Sequence, residues 1–166
     1  TFIFSENFGT TAVGATNVKT YDKSGLKLGI DESDRLAYAY ASYNNTSFQT
    51  ADYTYTTKTT TGAYVRFPKK DASITISNIN LHGYTSFEFS FTKDVASTID
   101  VKWRYTGDGS NSWTVLASTK AEGTVKLDLT LSNPDNKTID IQLQAKDDVV
   151  NAAYPAVDDW KLTVKE

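Results

Sequence analysis

The strongest constraint on this chain is a period of two. Stretch after stretch alternates apolar with polar residues, which in an extended backbone sends successive side chains to opposite faces. "SFEFSF" sets Phe87, Phe89 and Phe91 against Glu88 and Ser90, and "IDVKWRY" sets Ile99, Val101, Trp103 and Tyr105 against Asp100, Lys102 and Arg104. "VKLDLTL" and "IDIQLQA" repeat the scheme, so Lys126, Asp128, Asp140, Gln142 and Gln144 are expected to face water. "SITISNI" turns Ile74, Ile76 and Ile79 inward with a shift near Asn78, and "TFIFSENF" groups Phe2, Phe4, Glu6 and Phe8 on one face. Thr, Val, Ile, Tyr and Phe, which suit a pleated, half-buried surface, fill these runs. Turn signals fall between them: "HGY", "GDGSNS", "AEG" and "SNPDNK". No amphipathic helix competes; the Ala-rich middle of "DESDRLAYAYASYNN" is either one helical turn or a strand carrying Tyr38 and Tyr40 together. Short strands at this spacing predict an all-β fold, a two-sheet antiparallel sandwich. The 166 residues make one domain, with no repeat, Pro-rich linker or low-complexity tail to divide it.

Several function classes drop out on composition. A net charge of -3 supplies no basic field for nucleic acid or an anionic membrane. No apolar run approaches the roughly 20 residues of a spanning helix, and membrane insertion is not expected. Cysteine is absent, which removes disulfides, thiolate metal sites and a thiol nucleophile. The single histidine, His82, sits in the "LHGY" turn and reads as a surface residue rather than the base of a triad. Glu32 with Asp34, and Asp147 with Asp148, are acidic loop clusters of the kind that stay solvated, not a cleft pair for glycoside hydrolysis. No catalytic residue is expected.

From about Thr61 the pieces run "TGAYVRF", "ASITISNINLHGYTSFEFSF", "IDVKWRYTGDGSNSWTVL" and "AVDDWKLT", and "FSENFG" stands at the start. In that order they resemble the galactose-binding-like jelly-roll domains, among them non-catalytic carbohydrate-binding modules of secreted Bacteroidetes-type glycan-handling proteins. Residues 30–58 match no part of the pattern. The resemblance implies a jelly roll, a polysaccharide or oligosaccharide partner, often a calcium ion, and a secreted or cell-surface setting. Thr1 in place of Met fits a processed or excised piece, expected to be a monomeric module of a larger multidomain protein.

The last strand, "AYPAVDDWKLTVKE", poses a question of its own. By parity Asp158 shares a face with Trp160, Leu162 and Val164, as Glu6 does with Phe4 and Phe8. Ionised carboxylates on core faces need a compensating charge, since desolvation costs several kcal/mol each. Calcium, which takes six to eight oxygens, would supply it; a Lys or Arg partner, or a bulge that turns both aspartates to water, would answer equally. In the resembled modules a Glu of the first strand and the Asp opening the last strand are calcium ligands. That carries the role onto Glu6 and Asp158, with Asp159 a third and carbonyls near Thr61 and Gly62 completing the shell of a structural ion.

Sugar binding calls for exposed rings beside polar tips, because sugar C–H faces stack on aromatics while hydroxyls seek amides, carboxylates and Arg. The outer strand faces offer Lys102, Arg104, Gln142 and Gln144 but few rings, which favours loops. Tyr38, Tyr40, Tyr43, Phe48, Tyr53 and Tyr55 interleave with Asn44, Asn45 and Gln49, although tyrosines at spacing two also simply make good strands. "DDVVNAAYPA" adds Asn151 and Tyr154, in a loop that commonly lines the ligand cleft of the resembled modules. Trp103 and Trp113 are expected in the core. The ligand-binding expectation therefore rests on Tyr38, Tyr40, Tyr43, Tyr53, Tyr55, Arg104, Asn151 and Tyr154. The competing reading is a structural or adhesive sandwich that binds protein or spaces other domains.

Overall fold

The computed structural model describes residues 2–6, 16–17, 39–43, 47–51, 62–67, 69–107, 113–132, 138–151 and 154–165. Before residue 64, and at 77–78, it describes backbone alone apart from the side chain of Ile3. Among the described residues twelve strands run in chain order: β1 (Phe2–Glu6), β2 (Thr16–Asn17), β3 (Ala39–Tyr43), β4 (Ser47–Ala51), β5 (Gly62–Arg66), β6 (Ser73–Asn80), β7 (Ser86–Lys93), β8 (Ile99–Tyr105), β9 (Thr114–Thr119), β10 (Gly123–Thr130), β11 (Thr138–Ala145) and β12 (Ala156–Val164). No helix occurs among the described residues. Ala39–Tyr43 is a strand, and the part of the Ala-rich segment before it lies outside the described residues.

The strands form two antiparallel sheets. One has seven strands in the order β10-β7-β12-β5-β4-β2, with β1 also on β12; the other has five, β3-β6-β11-β8-β9. The first and last strands pair directly, Glu6 opposite Trp160 and Phe4 opposite Leu162. The core lies between the sheets. Phe87, Phe89, Phe91, Trp160 and Leu162 from the larger sheet meet Ile74, Ile76, Ile99, Ile141 and Leu143 from the smaller, all at 1% exposure or less. Each such side chain contributes roughly 1.5–3 kcal/mol by leaving water. Phe89 stands edge-on to Trp160 with centroids 5.7 Å apart, so shape as well as area holds the centre.

The alternation predicts these faces correctly in β7, β8 and β11. In β6 the expected shift is present: Ile79 pairs with Ile139 but Ile76 pairs with Ile141, and the extra residue returns Ile79 to the core at 2% exposure. In β1 the side chains of Phe2 and Phe4 lie outside the described set. The register slips between them, and Ile3 is buried. Bulges of this kind insert one residue and reverse the facing of everything beyond.

At one strand end Lys93 reaches into the interior at 1% exposure. Its Nζ donates to the carbonyls of Ser97 and Thr119 at 2.6 and 2.7 Å, tying β7 to the β7–β8 turn and to the end of β9. Burial lowers its pKa from an ordinary 10.5 to about 8, against the smaller opposing pull of Asp147 and Asp94. Next to it Asp94 Oδ1 accepts the Ala156 N–H at 2.6 Å and anchors the start of β12.

Candidate functional site

The outward faces of the two sheets differ in kind. On the seven-stranded sheet, Lys126, Asp128 and Lys161 stand in solvent, whereas Thr92 and Asp158 are withdrawn. The five-stranded sheet carries its polar groups withdrawn. Asp140 and Gln142, expected in water, are only 3% and 7% exposed, and Thr75 and Ser73 are 1% and 2%. Neighbouring strands explain the difference, because β11 is the central strand and its side chains are flanked by β6 and β8. Polar groups so placed have to pair, and they do. Gln142 Nε2 donates to Thr75 Oγ at 3.1 Å, Lys102 Nζ to Gln144 Oε1 at 2.7 Å, and Gln144 Nε2 to the Asp71 carbonyl at 3.2 Å.

Arg104 ends this strip. Its Nε donates to Asp140 Oδ2 at 3.0 Å, while Thr106 Oγ donates to Asp140 Oδ1 at 2.8 Å, so the buried carboxylate is held on both oxygens. The guanidinium carbon lies 4.0 Å from the centre of the Trp113 ring. Trp113 is therefore half-exposed beneath a cation, not a core residue as expected from sequence. The signal that locates it is hairpin register. Trp103 faces Thr114 and Lys102 faces Val115, so the next step of that ladder sets Trp113 beside Arg104. The face that lacked rings in the sequence has one.

Asn151 and Tyr154 belong to the β11–β12 connection. Asn151 is exposed in a left-handed conformation, φ 54°, which asparagine tolerates better than most residues. Tyr154 is half-buried, with the Arg66 guanidinium 4.5 Å from its ring centre. Arg104 sits beside the start of β11 and this connection leaves its end, five residues and roughly 17 Å on. The structure thus does not unite Arg104 with Asn151 and Tyr154. Tyr40 and Tyr43 have their backbone in β3, opposite Ile76 and Ser73, but their side chains lie outside the described set. Tyr38, Tyr53 and Tyr55 lie outside the described residues altogether, as does the side chain of Glu6.

The two aspartates of β12 behave differently from their parity. Val157 pairs with Lys93 and Asp158 with Thr92, but Lys161 pairs with Ser90, so β12 carries one extra residue in between. Asp159, at φ 53°, marks the bulge. The result is core spacing Val157, Trp160, Leu162, with Asp158 beside Thr92 on the other face. Asp158 does not share the face of Trp160, yet it remains 1% exposed. Its Oδ1 accepts the Asp159 N–H at 2.8 Å, and Thr92 Oγ bonds the Asp158 carbonyl at 3.2 Å. Desolvation raises the Asp159 pKa, partly offset by Thr92 Oγ at 3.5 Å from Oδ2.

Other acidic candidates have structural partners. Asp147 Oδ2 accepts the Thr98 N–H at 2.8 Å, and that bond lowers its pKa. His82, at φ 52° and exposed, donates its N–H to Asn80 Oδ1 and forms the turn before β7.

No family model and no curated protein matches the sequence. Among solved structures, the cleaved adhesin domain of Lys-gingipain aligns with a TM-score of 0.55 at 11% identity, over 97% of this chain and 99% of that one. A family 29 carbohydrate-binding module from Piromyces equi aligns at 0.50 and 11% identity, over 82% and 83% of the two chains. At such identities the likeness is one of fold: this chain is a jelly-roll β-sandwich of the type found in carbohydrate-binding modules and adhesin domains.

Proposed function

We propose that this domain is a non-catalytic carbohydrate-binding module of an extracellular protein, and that it holds its sugar on the outward face of the five-stranded sheet. One observation carries the reading: a fixed cation–indole pair, Arg104 on Trp113, adjoins a withdrawn strip of amide, ammonium and hydroxyl groups on one sheet face. A ring to stack on and polar tips to read hydroxyls are the two elements a sugar site needs. The fold shared with a carbohydrate-binding module supports it. The Tyr154–Arg66 stack, with Asn151, is a second ring-bearing surface at the opposite strand end.

The test is affinity electrophoresis on a panel of neutral and acidic plant and host polysaccharides, followed by Trp113→Ala and Tyr154→Ala on any retained polymer. Loss of a stacking ring should weaken binding by on the order of 1 kcal/mol, about fivefold. Loss on Trp113→Ala alone supports the sheet face, and loss on Tyr154→Ala alone moves the site to the loop. No retention on any polymer defeats the proposal. In that case the likeness to an adhesin domain favours the second reading, a protein-binding sandwich.

We also propose a structural calcium ion at Asp158 and Asp159. The donor set fits: two adjacent carboxylates, one buried and one half-buried, are withdrawn from solvent. Glu6, the ligand expected from β1, pairs with Trp160, whose face Asp158 does not share, so the pairing does not bring it to the two aspartates. An all-oxygen set of this kind suits a hard cation. Its role would be to offset the repulsion of the two adjacent carboxylates.

A further inference from the structure

We infer that the glycan held on this face carries an anionic group, a uronate carboxylate or a sulfate ester, seated on Arg104; this rests on the sugar-binding reading above. The side chain is held from two directions. Asp140 engages Nε at 3.0 Å, and the Trp113 ring lies under the guanidinium plane at 4.0 Å. Asp140 itself is fixed by Thr106 and is 3% exposed. A contact through Nε alone leaves both terminal amino groups, four N–H donors, without an acceptor among the described residues.

A guanidinium so constrained has already lost its rotamer freedom, and its remaining edge is a planar fork of two parallel donors. That fork matches the two oxygens of a carboxylate or sulfate, whereas a neutral hydroxyl can meet only one prong. The indole beneath it displaces hydration that would otherwise compete. Lys102 stands two residues away on the same face, roughly 7 Å along the strand, held by a neutral amide rather than an acid. Among the described residues near Arg104 there are thus two cations and one buried carboxylate. The other acid on this face of β8, Asp100, is four residues off and accepts from Ser118 at 2.6 Å. In a chain of net charge -3 these described groups are locally positive.

The experiment compares matched pairs of polymers: polygalacturonate against its methyl ester, and a sulfated galactan against its desulfated form. We expect retention of at least one anionic polymer, at least about tenfold weaker binding of its neutral partner, and weakening with added salt. The pair that responds tells carboxylate from sulfate. Arg104→Gln should remove the preference, while Arg104→Lys, which keeps the charge but not the fork and is less disruptive beside Asp140, should retain part of it. Thermal melts establish that each variant is folded. Equal affinity for neutral and anionic partners, or an undiminished preference in both folded variants, overturns the inference and leaves sugar binding standing. Binding to no polymer at all overturns both.

Discussion

Asp158 and Trp160 lie on opposite faces of the seven-stranded sheet, although one residue separates them. In a regular strand that spacing keeps two side chains on the same side. Here the extra residue in β12, marked by Asp159 at φ 53°, lets Trp160 join Phe89 in the core while Asp158 sits beside Thr92. The bulge allows one strand to fill the core and gather two carboxylates away from it.

If those carboxylates hold calcium, chelation should lower the melting temperature and calcium, but not magnesium, should restore it. Binding to the native state alone adds about 2.7 kcal/mol when free calcium is a hundred times Kd. Magnesium keeps its waters too firmly to substitute. Asp158→Asn should blunt the response, and a melting curve indifferent to both chelator and calcium would rule the ion out.

The Arg104–Asp140 pair should matter to stability as well as to ligand. Asp140→Ala strands Arg104 over Trp113 and removes the acceptor of Thr106; breaking a pair this buried costs about 3 kcal/mol. Lys165 with Asp128 makes the control. That pair is 2.7 Å long, but its side chains are 51% and 67% exposed, and Asp128→Ala should change urea-unfolding stability little. Equal effects of the two substitutions would contradict the burial argument.

Much of this architecture was legible in the sequence because β7, β8 and β11 keep strict parity along their length, so each apolar residue names its own face. The shift in β6 was visible too, since Ile76 and Ile79 cannot both face inward without an extra residue. What could not be read were the bulges at Ile3 and Asp159, where the local pattern is compatible with either register and cross-strand pairing decides. The withdrawal of Asp140 and Gln142 was hidden for a related reason. Alternation tells which face a residue takes, not whether its strand is central or at an edge. Trp113 was missed because its neighbour lies across a hairpin whose register alternation alone does not give.

Removing Phe89 should cost more than any surface change. It is fully buried, edge-on to Trp160 and 5.8 Å from Phe91 between ring centres. Phe89→Ala leaves a cavity the rigid sheets cannot close, a loss of about 3–5 kcal/mol against a typical total of roughly 5–15. A urea midpoint close to that of the unmodified chain would mean the two sheets do not pack as described.

Lys93 predicts an unusual pH dependence. Its pKa falls from 10.5 to about 8 on folding, mainly through burial. Between those values the unfolded chain binds more protons at this site than the folded one, so stability should rise as pH climbs from about 8 to about 10.5. Below pH 8 the folded protein carries the full cost of a buried ammonium. The hydrogen bonds survive deprotonation, because a neutral amine still has two N–H donors for the carbonyls of Ser97 and Thr119. Other lysines and tyrosines also titrate in this range, so the measurement is a difference: urea unfolding of the unmodified chain minus that of Lys93→Met, at steps from pH 7 to pH 10. The unmodified chain should gain on the variant as pH rises. A difference that stays flat, or moves the other way, would mean that Lys93 is solvated and that the strand end it closes is open to water.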